Sequence, residues 1–547
     1  MIPSRSPALA PSRVNLFLLL VCILAAIPMV YFGATYYIDY DGYWHVFIAK
    51  QTWSSFLGEY QATAHPPLFF LLLRGAITIG DSRLVYRLVS ILSGLGAIFV
   101  IGRIARDVTG SRLAAVLTAF MFGLSASVIL ISCEVRSYML CAFLALLAFQ
   151  SYLNIMTVEP GQTGLGARIR FSASLCLAIL SHYSALFVFM ACLAAPVYLA
   201  LVNKEYRARL IPFLRGRWRE NFLTFFPVFV LGLALYWFQG RPFASPLVYL
   251  SQFYFDPAGS ESRIEFLLRN LQNAFDLFTP VRFDPALIPV CIFAAMTVYV
   301  ARFRTEERDI RLNLTIAVFF LMLGAFMVAA LRGRYPFGGG LRHQFLLFPF
   351  LALSAVGILN KISSLMPVRN IRIILLAAGF MASGANSMAA YARFQNIRDD
   401  NATRDIALFR SFFQHPRVVL LDQFNVVSFF AHHHDWKWTT VARHGSLYKY
   451  VVSKNGNEFT VMRENSVWNF DFTAANSYPY IKQALEAAAG EPITVFCIDQ
   501  AGSHVPRAPA DEQAFEQNVR MLASQAGLHL KRLVVKGVDI FAQFDRR

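Results

Sequence analysis

The stretch that decides the fold is residues 14–45, VNLFLLLVCILAAIPMVYFGATYYIDYDGYWH. Residues 14–32 form an apolar run of the length that a membrane-spanning helix needs. Two acidic residues, Asp39 and Asp41, follow this run among aromatic residues that suit a membrane interface. Carboxylates at the end of a membrane helix are costly unless they are solvated or take part in function. The stretch therefore predicts both a membrane span and a candidate site at its outer end.

The composition of the chain agrees with many membrane spans. Of the 547 residues, 56% are hydrophobic and 15% are charged, and the mean hydropathy is +0.47. An ordinary soluble protein has about 25% charged residues. In such a protein a net charge of +17 would suggest nucleic acid as a partner. Here most Lys and Arg residues lie between apolar runs, where they set topology and contact lipid headgroups, so we predict no nucleic-acid partner.

The positions of the cysteines predict neither a metal site nor a redox site. Six of the seven cysteines lie in or at the edge of apolar runs, and Cys497 stands alone in the C-terminal region. There is no CxxC and no disulfide framework. The N-terminus resembles a signal peptide, but its apolar stretch is long and no clear cleavage site follows. We therefore predict an uncleaved first span.

Eleven membrane spans are predicted from the apolar runs. They are residues 14–32, 85–103, 113–131, 138–156, 169–181, 184–202, 221–238, 286–301, 312–331, 343–360 and 371–390. Basic residues in the short loops then place the N-terminus in the cytoplasm and the C-terminal region outside, in the inner (plasma) membrane of the cell. Two choices support this count. Residues 66–79 are treated as an interfacial helix on the outer surface, and residues 169–202 as two short helices with Ser181-His182-Tyr183 at their tip.

The residue pattern of the last part of the chain predicts a second domain with a different fold. Residues 391–547 carry more charge and shorter apolar runs, with strands predicted at 418–422, 459–462, 493–498 and 533–541 and helices at 402–413, 481–489 and 511–526. The predicted fold is thus an α-helical polytopic membrane module over residues 1–390, with interfacial helices in its first outer loop. A C-terminal α/β domain outside the membrane follows, over residues 391–547.

This topology brings polar residues to one outer level of the membrane. They are Asp39, Asp41, His45 and His65 of the first loop, Glu134, Arg136, His182 and Tyr183 at span ends, and Arg332, Arg334, Arg342 and His343 around a Gly-rich turn. Charged residues at membrane depth are functional candidates by default. Carboxylates together with guanidinium groups suit chemistry on a phosphorylated lipid, because one provides a base for the acceptor and the other binds the phosphate.

Several motifs resemble those of the C-type membrane glycosyltransferases, in particular the protein O-mannosyltransferase and lipid A aminoarabinose transferase group. The first is an acidic residue after the first span, followed by aromatics and Ile48-Ala49-Lys50. The others are His65-Pro66-Pro67-Leu68, Asp81 with Arg87-Leu88-Val89-Ser90, Gly102-Arg103-Ile104-Ala105-Arg106, Glu134-Val135-Arg136-Ser137-Tyr138 and Ser181-His182-Tyr183. The resemblance covers residues 14–200, and the later spans by topology only.

The resemblance implies a transferase that moves one sugar from a polyprenyl-phosphate donor to a lipid, glycan or protein acceptor on the outer membrane face. Asp41 matches the catalytic acid, whereas Gly42 stands where many relatives have Glu, so Asp39 is left to share or replace a role of an acidic pair. The predicted site contains the following further residues: His65, Arg136, Arg342 and His343 for the donor phosphate and lipid, and Glu134, Tyr138, His182 and Tyr183 for the substrate.

No metal site is assigned. In the aminoarabinose transferases a Glu ahead of the Pro-Pro motif helps bind a metal, and here Ala64 stands in that place. C-type enzymes include metal-dependent and metal-free members, so a divalent metal is left open as a cofactor. The run His432-His433-His434 resembles a metal-binding tract. Three consecutive side chains point in different directions, however, so we interpret the run with Asp435 as a solvated loop.

Five of the candidate residues also have a structural explanation. Asp39 or Asp41 is a suitable N-cap for the following helix. Glu134 with Arg136 fits an ion pair at a span end, and His182 fits a hydrogen-bonded histidine at a hairpin tip.

Two other functions compete with the transferase. One is a transporter or flippase of lipid-linked saccharides, and the other is a receptor whose C-terminal domain binds a ligand. The sequence shows no internal repeat of the transporter kind, and its polar residues cluster at one face. A receptor does not explain the juxtamembrane acids. The transferase is therefore the preferred prediction.

Overall fold

The computed structural model divides the chain into two compact units. The first comprises Met1–Tyr36 and Gln61–Gln395, and the second Tyr37–Tyr60 and Asn396–Arg547. The structure describes residues 11–53, 56, 65–157, 164–204, 206–208, 216–240, 253–278, 307–364, 418–422, 425–444, 447–464, 478–488, 491–498, 509–536 and 539–546. The first part of the predicted first outer loop, Tyr37–Tyr60, thus belongs with the C-terminal unit, a grouping that a linear boundary after residue 390 does not anticipate.

The regular secondary structure in the described residues of the first unit is all helical. Its helices, with α2 of the second unit included for numbering, are α1 (Pro11–Thr35), α2 (Tyr40–Lys50), α3 (Leu68–Ile77), α4 (Arg83–Thr109), α5 (Arg112–Gly123), α6 (Ala126–Ser132), α7 (Tyr138–Met156), α8 (Leu165–Ser181), α9 (Ala185–Val202), α10 (Trp218–Leu235), α11 (Arg263–Phe278), α12 (Glu307–Leu331), α13 (Leu341–Gln344) and α14 (Leu347–Ser364). A π-helical turn, Tyr236–Gly240, continues α10.

Within the described residues, six helices are long and apolar enough to cross a membrane, namely α1, α4, α7, α9, α10 with its π-helical turn, and α12. The chain is therefore a multi-pass membrane protein. Helix α3 has ten residues, too few to cross a bilayer alone. The predicted spans 286–301 and 371–390 and the predicted helix 402–413 lie outside the described residues, so the count of eleven spans stays a prediction.

Two predicted spans are interrupted in the structure. The stretch 113–131 is divided into α5 and α6, which meet at an angle of 59°. The break has a local cause: the side chain of Ser125 accepts a hydrogen bond from the backbone N–H of Val128 at 3.3 Å and so starts a new helix. Likewise, the stretch 343–360 begins in the short α13 and continues in α14.

Helix α4 lies at the centre of the described membrane helices and packs against α1, α5, α7 and α14. At Gly102 the approach is so close that an added Cβ would lie 2.4 Å from Leu18 Cδ2 and 3.2 Å from the carbonyl oxygen of Ala115. Glycine is therefore required where these three helices meet.

A buried arginine on α4 ties two helix ends together. Arg87 is 1% exposed, and its Nη1 donates hydrogen bonds to the carbonyl oxygens of Gly33 at 2.7 Å and Tyr36 at 2.9 Å. Its Nε donates to the carbonyl oxygen of Cys133. The last carbonyls of a helix have no partner inside the helix. Arg87 thus satisfies those at the end of α1 and at the end of α6.

The second unit contains a seven-stranded mixed sheet in the order β2-β3-β4-β1-β5-β7-β6. Its elements are β1 (Val418–Asp422), α15 (Asn425–His432), β2 (Lys437–His444), β3 (Leu447–Lys454), β4 (Asn457–Glu464), α16 (Tyr478–Ala487), β5 (Ile493–Ile498), α17 (Pro509–Gln525), β6 (Leu528–Lys536) and β7 (Asp539–Arg546). Strand β1 is parallel to β4 and β5, and the other pairs are antiparallel. The predicted C-terminal sheet domain is confirmed.

The predicted strand 533–541 is wrong as a single element, because it runs across the hairpin between β6 and β7. The sequence pattern also misses β2 and β3, because KWTTVARH and LYKYVVSK form neither a continuous apolar run nor a strict polar–apolar alternation.

Helices α16 and α17 cover one face of the sheet. Their core includes Leu447, Met462 and Phe515. Successive residues of a strand point to opposite faces. The neighbours Tyr448 and Arg463 therefore belong to the other face, which packs against α2.

Candidate functional site

The two candidate acids lie at the start of α2, in the second unit. Asp39 is the N-cap, and its Oδ1 accepts a hydrogen bond from the backbone N–H of Gly42 at 2.9 Å. Asp41 lies in the first turn, where the helix dipole favours a negative charge. One turn later, His45 Nδ1 donates to the carbonyl oxygen of Asp41 at 2.5 Å. Capping therefore accounts for Asp39, whereas Asp41 stands in the first turn and is not the cap.

Four of the predicted substrate and phosphate residues meet in the first unit, at the tip between α8 and α9. The ring of His182 lies 4.7 Å from the ring of Tyr138 and 6.2 Å from that of His65, measured between centroids. Tyr183 donates a hydrogen bond to Gln239 Oε1 at 2.6 Å, and Gln239 Nε2 donates to the carbonyl oxygen of His65 at 2.7 Å. We call these five residues the histidine cluster. Its members come from four separate parts of the sequence.

The protonation state of His182 follows from its hydrogen bonds. The backbone N–H of Ser184 donates to His182 Nδ1 at 3.1 Å, and the Ser184 hydroxyl lies 2.7 Å from the same nitrogen. A nitrogen that accepts a hydrogen bond carries no proton, so the neutral ring holds its proton on Nε2. Burial, followed by the charges of His65 and Arg136, lowers the pKa of His182 from 6.5 to about 3. His182 is therefore a neutral hydrogen-bond donor at physiological pH, which excludes it as a phosphate-binding cation.

Arg136 lies in the turn between α6 and α7 and is 3% exposed. The Ser90 hydroxyl of α4 donates a hydrogen bond to its carbonyl oxygen at 3.0 Å. Helix α4 therefore holds the Glu134–Arg136 turn through Ser90, just as it holds the end of α6 through Arg87. The influence of Arg136 on His182 places a buried positive charge beside the histidine cluster.

Arg342 and His343 lie on α13, directly after the Gly-rich turn. Gly338 in that turn has a φ of +76°, and an added Cβ would lie 2.6 Å from the Asn270 Cα of α11. The hydroxyl of Tyr335 donates to the carbonyl oxygen of His343 at 3.0 Å. The Tyr335 ring packs edge-on against Phe187 of α9, with centroids 5.3 Å apart. Arg342 and His343 are thus tied to α9, the helix that begins just after His182.

Sequence reasoning missed two residues of this region, Gln239 and Tyr335. Gln239 is the polar residue directly after the apolar run 221–238, which was the only signal that could have found it. Its position in the π-helical turn directs it toward the histidine cluster. Tyr335 stands in a loop of aromatic and glycine residues and gives no pattern of its own.

The His-rich run is part of the second unit. His433 Nδ1 bonds the carbonyl oxygen of Phe429 at 3.0 Å, and the ring of His434 stacks on Tyr43 at 5.9 Å. Burial lowers the pKa of His433. In the part of the chain that the structure describes, no three side chains of His, Cys, Asp or Glu are grouped so that they could hold a metal ion.

Acidification is expected to destabilise the protein through His182. The unfolded side chain takes up a proton below pH 6.5, whereas the folded one does so only near pH 3. Stability is therefore complete above pH 6.5 and decreases as the pH falls, by up to about 2 kcal/mol between pH 6.5 and 5. Thermal unfolding in detergent at pH 7 and pH 5 measures this loss.

Two substitutions test whether His182 causes this pH dependence. His182→Asn keeps an acceptor for the Ser184 N–H, and His182→Gln keeps a donor near the position of Nε2. Both remove the titration, so both should show a smaller loss of melting temperature at pH 5 than the wild type. An unchanged loss in both variants would assign the pH dependence to other groups.

Comparison with solved structures finds a shared fold in ArnT from Cupriavidus metallidurans. Its apo crystal structure matches with a TM-score of 0.56 at 14% identity, covering 97% of this chain and 98% of that chain. The crystal structure bound to undecaprenyl phosphate matches with a TM-score of 0.54 at 14% identity, covering 98% of each. No protein-family model and no curated protein matches the sequence. At this identity the likeness concerns the fold, and it confirms the C-type glycosyltransferase fold that the motifs predict.

Proposed function

We propose that the chain is a membrane glycosyltransferase that moves one sugar from a polyprenyl-phosphate donor to a lipid, glycan or protein acceptor. The observation that carries the proposal is the position of Asp41, which stands in the first turn of α2 at the place where the motif has its catalytic acid. The fold supports it, because a solved structure of the same fold has undecaprenyl phosphate bound. The reaction takes place on the outer face of the inner membrane, with the N-terminus in the cytoplasm.

In the proposed reaction the acceptor oxygen forms a bond to the anomeric carbon of the donor sugar. The bond from that carbon to the phosphate oxygen breaks, and its electron pair leaves with the polyprenyl phosphate. The acceptor proton passes to the carboxylate of Asp41, which acts as the general base. Asp39 holds the helix that carries this base through its cap on Gly42.

The leaving phosphate gains negative charge as the bond breaks and needs positive partners. Arg136 and Arg342 are the guanidinium groups that we assign to it, with His65 and His343 as further donors. Guanidinium binds phosphate through a planar fork of N–H groups, which fixes orientation as well as charge. His182, neutral with its proton on Nε2, serves the substrate as a hydrogen-bond donor beside Tyr138 and Tyr183. Glu134 completes the proposed substrate-binding set.

Mass spectrometry of envelope glycolipids tests the proposal. Cells with the wild-type gene, cells without it and cells with Asp41→Asn are compared. The last two should lose one sugar from a single acceptor and accumulate the corresponding undecaprenyl-phosphate sugar. Identical glycolipids in all three would sink the proposal. A flippase would give a different result, because purified wild-type protein would then consume no donor lipid.

A further inference from the structure

The helix that carries Asp41 is packed on the C-terminal sheet, although almost 400 residues separate the two in the chain. Phe47 of α2 lies fully buried among aromatic rings of the second unit. Its ring centroid is 5.3 Å from that of Phe430, 5.8 Å from Trp438 and 6.1 Å from Tyr450, each in an edge-on arrangement. Helix α2 is therefore an integral part of the C-terminal domain.

A buried guanidinium lies at the centre of this contact. Arg463 of β4 is 0% exposed, and its Cζ lies 4.5 Å from the ring centroid of Tyr448, 5.5 Å from Phe47 and 5.9 Å from Tyr450. Tyr448 is directly opposite Arg463 in the β3–β4 ladder, and its ring stacks on that of Tyr450. We call Arg463 with these three rings the arginine cage. Two of its rings belong to the sheet and the third belongs to α2.

The cage restricts α2 more strongly than an apolar contact would. A buried cation is costly unless aromatic faces or other partners surround it. Displacing Phe47 would therefore remove one of the rings that stabilise the Arg463 guanidinium, and water does not reach this buried group to replace the ring. One hydrogen bond and one ring-stacking contact act with it. Lys50 Nζ donates to the carbonyl oxygen of His434 at 2.6 Å, and Tyr43 stacks on the His434 ring. Together they hold α2 at three points along its length.

The helical period shows on which side of α2 Asp41 lies relative to these contacts. Tyr43 and Phe47 are four residues apart and lie on the same side of α2. Asp41 precedes Tyr43 by two residues, a rotation of about 200° in an α-helix. The docked side of the helix therefore points toward the sheet, and Asp41 lies on the opposite side, where it is half-buried.

We propose that the arginine cage is the positioning device for the proposed catalytic base: by holding Phe47, Arg463 sets the orientation of α2 and hence of Asp41. This inference rests on the proposed function. Arg463 acts through the helix and is a positioning residue. The C-terminal domain thereby gains a role in the transfer step itself.

The test compares Arg463→Met with Arg463→Lys in the full-length protein. Donors are undecaprenyl phosphates that carry a hexose, a uronic acid, an aminopentose or arabinose, and membranes from cells lacking the gene provide the acceptor. Arg463→Met should lower kcat by about 10- to 100-fold through misplacement of the base, while KM for the donor changes little. Arg463→Lys keeps the cation and should recover part of kcat. Hydrogen exchange should accelerate in residues 40–50 of the Met variant.

Phe515→Ala is the matched control, because Phe515 lies in the core on the other face of the sheet. It should lower the melting temperature of the domain and leave kcat unchanged at the assay temperature. If Arg463→Met does not fold, Phe47→Leu takes its place in the same measurements, because it removes one ring of the cage and leaves the sheet intact.

Three results would overturn the inference. The first is a wild-type kcat in both Arg463→Met and Phe47→Leu. The second is a loss of kcat in Phe515→Ala as large as that in Arg463→Met. The third is hydrogen exchange in residues 40–50 of Arg463→Met at the wild-type rate. Asp41→Asn separates this failure from failure of the proposed function. An inactive Asp41→Asn with active cage variants refutes the cage alone. A fully active Asp41→Asn refutes the proposed base, whereas exchange in residues 40–50 still reports whether the cage holds α2.

Discussion

Asp41→Asn is expected to lower the rate of sugar transfer by about 10²- to 10⁴-fold, the usual contribution of a general base. Asn has nearly the same shape but cannot accept the acceptor proton. The backbone contact at this position, from His45 to the carbonyl oxygen of residue 41, does not involve the carboxylate and should persist. Single-turnover transfer from an undecaprenyl-phosphate sugar measures the effect, with undecaprenyl phosphate binding as the check that the donor site is intact.

Asp39 provides the matched control two residues earlier. Asn caps a helix as well as Asp does, so Asp39→Asn should keep the hydrogen bond to Gly42 and most of the activity. Asp39→Ala removes the cap and should cost about 1 kcal/mol of helix stability. A loss in Asp39→Asn as large as that in Asp41→Asn would show that the two acids share the proton transfer, and our assignment to Asp41 alone would be wrong.

Arg87→Met should cause the largest loss of stability among single substitutions in the first unit. The Met side chain fits the space but leaves the carbonyl oxygens of Gly33, Tyr36 and Cys133 without their donor. Each hydrogen bond to a charged group contributes about 1.5–3 kcal/mol, so a loss of several kcal/mol is expected. Thermal unfolding in detergent, followed by fluorescence, measures it.

Arg83 is the control for this substitution because it lies on the same helix near the same end of α1. Its Nη1 donates to the carbonyl oxygen of Thr35 at 3.3 Å, but at an exposed position. Water replaces that hydrogen bond, so Arg83→Met should change stability by less than about 0.5 kcal/mol. Equal melting temperatures for the Arg83 and Arg87 variants would contradict the anchoring role of Arg87.

The candidate site was predicted unevenly, for physical reasons. His65, Tyr138, His182 and Tyr183 were selected as polar or aromatic residues at span ends, and the structure brings them together. Gln239 could not be placed with them, since a π-helical turn directs it and such a turn has no sequence period. The capping explanation for Asp39 was recognised as a local pattern, and local patterns depend on neighbours within one helical turn.

The sequence by itself determined the membrane character of the chain, the C-terminal sheet domain and the C-type fold. Apolar runs of bilayer length, strand periodicity and short motifs predict these properties. Each single run, strand or motif lies within some twenty residues of the chain. Only the tertiary structure decided that Tyr37–Tyr60 belongs to the C-terminal unit. Phe47 and Arg463 each look unremarkable in their own segments. The contact between them joins residues that only the folded chain brings together, so no local pattern could reveal that the domain holds the helix of Asp41.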